Sequence, residues 1–268
     1  MTPIPRPTRF AGESWRTASA MHARVVGAVI MRDLQTRFGT GYLGFLLGLM
    51  IPLGHLAIVI AIATITHRPT PLGTQGPVFL MTGILPFIIW LYSHRQIMMT
   101  IRQNQPLLYF PGVALFDLVL SRIIVEISTC TMVVLIVLSA LWIIGFEINV
   151  YNWQGFIFSF LLAWTLGSAT GLIFCIVGAL FYPMIMAGAL LGPLAWATSG
   201  IIFLPDDIPE SFQSVLKYNP LLQIITQTRL SYFSEYSTNI FDIQILSTEL
   251  ILLITCGMIL ASLARRFI

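Results

Sequence analysis

The sequence predicts an all-α integral membrane protein: six transmembrane helices, an N-terminal interfacial helix, and short re-entrant helices between spans five and six. Three observations carry this. Hydrophobic residues make up 57% of the chain and charged residues 9%, against about 25% charged in a soluble domain, so a water-facing surface could not be covered. Charge-free stretches are long enough to cross a bilayer, which takes about 20 apolar residues. Finally, the basic residues fall on one side when those stretches are folded as successive crossings.

The elements follow in order. Residues 1–13 hold Pro3, Pro5 and Pro7 with Arg6 and Arg9, and read as a disordered tail. Residues 14–38 place Trp15, Ala18, Val25, Val26, Val29 and Ile30 near helical spacing, with Arg16, Arg24, Arg32 and Arg37 interleaved. Such a helix suits a membrane surface; a solvated cytoplasmic helix is the alternative. Residues 1–38 thus form a tail and interface helix, and 39–268 a six-span domain.

Span one is the 25-residue stretch Tyr42–Thr66, free of Asp, Glu, Lys and Arg and ended by His67, Arg68, Pro69 and Pro71. Span two runs from Pro77 to Ser93, before a polar interval over 94–122. Span three covers Ile123–Gly145 with Glu126 near one end; Arg122 stands four residues before Glu126 and five after Asp117, so a local ion pair at the inner mouth is expected. From Ile148 to Pro205 there are 58 residues without a charge, about 87 Å as one helix. That is two spans, broken at Phe181-Tyr182-Pro183, because proline ends a helix. Span six is Gln244–Ala264, followed by Arg265 and Arg266.

With the N-terminus cytoplasmic, 11 of the 14 basic residues face inward and only Arg68, Lys217 and Arg229 face out. The positive-inside rule therefore puts both termini, residues 94–122 and the break at Tyr182 in the cytoplasm. Between spans five and six, residues 204–243 alternate acidic turns with apolar stretches of about ten residues, too short to span. Backbone of this kind survives at membrane depth only when protein or water covers it. The segment reads as an outer gate packed on the ends of spans five and one; a plain surface loop is the alternative.

Motifs exclude more than they assign. Gly44-x-x-x-Gly48, Gly167-x-x-x-Gly171 and Gly188-x-x-x-Gly192 are helix-contact signals, expected to pack within one subunit. Cys130, Cys175 and Cys256 lie in apolar runs and read as free thiols. His55 stands mid-span and reads as a packed residue. The only lysine, Lys217, is not in a phosphate-cradling Gly-x-x-x-x-Gly-Lys loop. No His-Glu-x-x-His motif or Cys/His cluster for a metal occurs, no catalytic set is found, and no signal peptide is read. Energy for transport would have to come from a partner.

Several segments carry a resemblance. Met31-Arg32-Asp33-Leu34-Gln35-Thr36-Arg37-Phe38-Gly39, with Leu43-Gly44 and Pro52, resembles the start of span one in ABC-2 type polysaccharide permeases. Pro77–Phe87, Gln103-Asn104-Gln105-Pro106-Leu107-Leu108 and Ser121-Arg122-x-x-x-Glu126 are similar to the second span and the connection into span three of the capsular polysaccharide export branch. Ser199-Gly200-x-x-Phe203-x-Pro205 and Tyr218-Asn219-Pro220-Leu221, with Arg229, fit the region between spans five and six.

The resemblance covers residues 25–265 and implies a function. The chain would be a non-enzymatic permease subunit in the cell inner membrane, a homodimer bound to two copies of an ABC ATPase that holds ATP and Mg. It would move an acidic lipid-linked capsular polysaccharide toward a periplasmic adaptor and an outer-membrane exporter. It implies an interface helix (Arg24, Arg32, Asp33, Arg37), coupling through Gln103, Asn104, Gln105, Pro106, Leu107 and Leu108, and a periplasmic gate (Pro205, Asp206, Asp207, Glu210, Phe212, Leu216, Tyr218, Asn219, Pro220). Arg95, Arg102 and Arg122 would collect the acidic substrate at the inner mouth; positive-inside topology alone is the competing reason for them. Tyr42, Phe45 and Trp196 would line a path walled by spans one and five. A permease for O-antigen, teichoic acid or a small drug, and an intramembrane acyltransferase, are the alternatives. No cofactor, metal or nucleic acid is expected on this chain.

Overall fold

A computed structural model describes the backbone of residues 15–38, 42–65, 72 and 75–264. The tail, the end of span one at 67–71 and Arg265–Arg266 lie outside the described residues, as do the side chains of Arg37, Tyr42, Phe45 and the Gly44–Gly48 motif. The described residues are all-helical, with elements α1 Trp15–Phe38, α2 Tyr42–Ile65, α3 Gly76–Met98, α4 Thr100–Asn104, α5 Leu115–Ile144, α6 Trp153–Leu180, α7 Pro183–Thr198, α8 Glu210–Leu216, α9 Pro220–Tyr232 and α10 Ile243–Ala264. Short 3-10 turns occupy Gln105–Tyr109 and Pro205–Asp207. Among the described residues, four helices are long and apolar enough to cross a membrane: α3, α5, α6 and α10. The described apolar stretches of α2 and α7, Met50–Ile62 and Pro183–Thr198, are shorter.

Helix α3 is the hub. It is apolar on every side, and a helix of that kind must be surrounded; 83% of its most apolar window is buried, against 17% for α10. Its main partner is α6, and glycine sets the distance. A Cβ on Gly167 would lie 2.7 Å from the Trp90 carbonyl oxygen, and one on Gly171 2.9 Å from that of His94. On α7, Gly188 abuts Met98 and Phe174, and Gly192 abuts Leu91. Two of the three glycine motifs thus serve contacts within the chain, as expected. His94 ties the same three helices, with Nδ1 3.1 Å from Thr170 Oγ1 and Nε2 3.1 Å from the Gly188 carbonyl.

Local chemistry sets the helix ends. The α6–α7 break falls at Phe181–Tyr182, with Pro183 opening α7 where its missing N–H costs nothing. Asn152 Oδ1 accepts from Gly155 N at the start of α6. Helix α5 is longer than the expected span: it begins at Leu115, not Ile123, because Asp117 Oδ2 accepts from Ala114 N at 2.9 Å and caps it. At 30 residues it reaches about 45 Å, beyond a hydrocarbon core of about 30 Å. Its first turns therefore belong to the polar interval, as does the last turn of α3. Cys130, Cys175 and Cys256 are thiols in no disulfide.

Candidate functional site

The loops fall into two groups at opposite ends of the bundle. One end gathers α1, the 99–114 connection and the α6–α7 break, since Arg102 lies over the Tyr182 ring at 4.2 Å. The other gathers 145–152 and 199–242, joined where Tyr151 N and Asn152 N donate to the Tyr232 and Ser231 carbonyls. The first end holds the residues expected for the interface helix, coupling and inner mouth. The second holds those expected for the gate.

At the first end, α1 lies along α5. His22 Nδ1 is 2.8 Å from Asp117 Oδ1, and Ser121 Oγ donates to the Val26 carbonyl. Asp33, 3% exposed, pairs with Arg122 at 3.5 Å. Arg122 Nη2 also donates to Gln103 Oε1, and Arg32 Nη2 donates to Asn104 Oδ1 at 2.8 Å. Arg24 is exposed, its Nε donating to the Ala20 carbonyl. Of the coupling residues only Asn104 is buried; Gln103, Gln105 and Pro106 are exposed, and Leu107 and Leu108 half-buried. Beyond them Tyr109 and Phe110 project, 67% and 61% exposed.

The three arginines of the expected inner mouth differ. Arg95 is exposed in the last turn of α3, beside Gly192. Arg102 is exposed apart from its contact with Tyr182. Arg122 is 5% exposed, so its charge faces Asp33 inside the fold. A local ion pair of Arg122 with Asp117 or Glu126 is what its own helix suggests; Asp33 on α1 is a further partner that local spacing could not reveal. Trp196, the described residue of the expected path, stacks on His55 of α2 at 5.6 Å and meets Phe87 of α3 edge-on at 5.1 Å. Helices α2 and α7, expected as spans one and five, do meet through His55 and Trp196, although Trp196 is already in contact with neighbours.

At the second end, α8 is exposed and α9 buried. Phe212 and Tyr218 are 63% and 65% exposed; Glu210 is exposed, Leu216 half-buried. Pro205 is buried; Asp206 and Asp207 are both exposed, but Asp206 accepts from Tyr236 Oη at 3.0 Å and Thr238 Oγ1 at 2.7 Å. Burial and the neighbouring Asp206 carboxylate push the Tyr236 phenol well above its usual range. Asn219 caps α9 with Oδ1, accepting from Leu221 N and Leu222 N, and its Nδ2 donates to Thr198 at the end of α7. Pro220 then opens α9.

The gate was expected on the outer ends of spans five and one. Asn219 supplies the contact with span five, but α9 packs chiefly on α6 and α3. Leu221, Leu222, Ile224, Ile225 and Tyr232 are fully buried, and that much apolar surface needs the centre of the bundle rather than its rim. Arg229 fastens it there. Fully buried, its two terminal nitrogens donate to the Ile201 and Phe203 carbonyls at 2.8 and 2.9 Å, and its guanidinium lies 4.2 Å over the Phe79 ring. Gly83 leaves the room, since a Cβ there would sit 2.8 Å from the Ile201 carbonyl oxygen.

Sequence reasoning missed His22 and His94, the capping role of Asp117, and Tyr109 and Phe110 at the tip. Asp117 had a signal in its position three residues after a helix start. His22 had none. No group of His, Cys, Asp and Glu fit to hold a metal occurs among the described residues.

Comparison with known proteins gives consistent relatives. No protein-family model matches the chain. It is 29% identical over 212 residues to the polysialic acid transport protein KpsM of Escherichia coli, covering 79% of this chain and 82% of that one. It is 27% identical over 219 residues to the capsule polysaccharide export inner-membrane protein CtrC of Neisseria meningitidis, covering 80% and 81%. With the capsule polysaccharide export inner-membrane protein BexB of Haemophilus influenzae it shares 25% identity over 255 residues, 92% of this chain and 93% of that one. These proteins are homologues of the chain over most of its length, and the resemblance read from its motifs holds.

Proposed function

We propose that this chain is the transmembrane permease subunit of an ATP-binding-cassette exporter that moves a lipid-linked capsular polysaccharide across the inner membrane. The observation that carries the reading is similarity to capsule and polysialic acid export proteins along 79 to 92% of the chain. The geometry supports it: one end of the bundle presents a firmly held connection with an exposed tip, suited to a partner, and no phosphate-binding loop stands anywhere in the sequence.

In this reading the six spans are α2, α3, α5, α6, α7 and α10, and the end bearing α1, 99–114 and 181–182 is cytoplasmic. The ATPase, which binds ATP and Mg, docks on the connection through Gln105, Pro106 and the tip. Two copies of the chain meet along α2 and α7, where Met186, Leu190 and Leu194 lie exposed at helical spacing. Arg95 and Arg102 at the cytoplasmic mouth attract the acidic polymer and its lipid anchor. Aromatic contacts along the seam are weak at any one register, which suits a polymer that must slide. A periplasmic adaptor and an outer-membrane exporter receive it. At the periplasmic rim Asp207 and Glu210 repel the polymer's return.

The test is reconstitution. The purified chain alone neither binds nor hydrolyses ATP; co-purified with its ABC ATPase partner, it forms a complex whose hydrolysis drives polymer into proteoliposomes. Scrambling 103–108 leaves the permease dimer intact and abolishes that transport. ATP hydrolysis by the chain alone, or undiminished transport after scrambling, overturns the reading.

A further inference from the structure

Three segments that the sequence presents separately close into one ring. Arg32 and Asp33 are neighbours on α1, Gln103 and Asn104 neighbours at the end of α4, and Arg122 lies on α5. Arg32 reaches Asn104 at 2.8 Å, Arg122 reaches Gln103, and Arg122 pairs with Asp33 at 3.5 Å. Starting from α1 the contacts run to α4, to α5 and back to α1; α1 and α4 each use two adjacent side chains, and Arg122 makes both links of α5. Asp33, Asn104 and Arg122 are 3%, 1% and 5% exposed.

The surroundings make the ring directional. Two further contacts, His22 with Asp117 and Ser121 with the Val26 carbonyl, lie along the same α1–α5 seam, so α1 is fixed to α5 over several turns. Asn104 Nδ2 also donates to the Thr100 carbonyl, so the arm that receives Arg32 is itself held. Arg122 and Asp33 are charges out of water, and removing one partner from such a pair takes away charge compensation that the other needs. Immediately after the ring, Gln105–Phe110 protrudes and makes none of these bonds.

We infer that Asp33 and Arg122, with Arg32 and Asn104, are positioning residues that weld the interface helix, the partner-facing connection and span three into one rigid lever. A push on the exposed tip then moves α5 and α1 together instead of being absorbed by bending at residues 99–114. The inference rests on reading that connection as the ATPase-facing segment.

A cysteine-free chain carrying Arg32→Cys and Asn104→Cys, assembled with its ATPase and reconstituted, separates the possibilities. Without cross-linking the Arg32–Asn104 link is gone, and polymer transport falls about five- to tenfold while permease and ATPase still assemble. A bifunctional thiol reagent about as long as an arginine side chain restores the link, and transport recovers. Cross-linking that stops transport means that the two elements must move apart, which overturns the lever. So does full transport without cross-linking. As a second variant, Asp33→Asn is expected to uncouple hydrolysis from transport in the same way while the complex still assembles; wild-type transport by it overturns the role of the buried pair. Wild-type chain and ATPase that fail to associate or to move polymer would instead refute the proposed function, leaving the lever out of the account.

Discussion

The two ends of the bundle bury charge in opposite ways. At the end bearing α1, side chains face each other: Asp33 pairs with Arg122, and His22 meets Asp117. At the other end the buried charge is Arg229, which meets two carbonyl oxygens and the face of Phe79. A network between side chains links separate helices and can pass a displacement among them. A guanidinium gripping backbone carbonyls instead locks one turn, 199–204, against one helix. The difference teaches that the first end is built to be moved as a unit and the second to hold the chain's crossing between α7 and α9.

The largest expected effect is all-or-none and concerns which end faces which compartment. On a cysteine-free background, Ser211→Cys on exposed α8 reacts with an impermeant maleimide added to intact cells, whereas Arg102→Cys reacts only after the membrane is permeabilised. Labelling of position 102 from outside reverses the two ends and with them the whole comparison.

Next in size is Arg229→Ala. It strands two buried carbonyls and opens a cavity, and is expected to cost about 3 kcal/mol or more in detergent-titrated unfolding of the purified chain. Arg229→Lys, which keeps the charge but not the fork, falls between the two. Wild-type stability of Arg229→Ala would remove the lock from the second end.

A smaller change separates stability from coupling at the first end. Asp117→Ala removes the cap of α5 and the His22 contact, and is expected to lower stability by about 1 kcal/mol, well short of Arg229→Ala. A loss as large as that of Arg229→Ala would mean that both ends are built alike.

Much of this was legible in the sequence, for identifiable reasons. The long charge-free runs and the proline at 183 gave the helices and their main break, because lipid demands apolar length and proline ends a ladder. The glycine spacings on α6 and α7 pointed to close helix contact. The span-three boundary was missed because charge was taken as the limit of the helix, whereas Asp117 starts it. Placement of α9 was missed because its own apolar length says that it cannot span but not what covers it. The ring was visible only as three separate motifs: nothing local to residues 32–33, 103–104 or 122 says that they meet.

The smallest effect is a pH dependence at the second end. Asp242 accepts from the Gln244 and Ile245 amides at the start of α10 and lies 3.6 Å from Lys217. The amide of Gln244 above all holds its pKa below the usual carboxylate range. Its contribution is therefore present at neutral pH and is lost as pH falls through and below that range. In Asp242→Asn the melting temperature should lose a small part of its acid dependence; an unchanged profile would show that the cap does not titrate with folding.

The most direct test of the central claim is where the polymer goes when the chain is absent. Deleting its gene in the host should leave polysaccharide synthesis running while the product accumulates inside the cell, and the wild-type gene should return it to the surface. Surface polysaccharide at wild-type level in the deletion, or loss of its synthesis with no internal accumulation, would contradict the account.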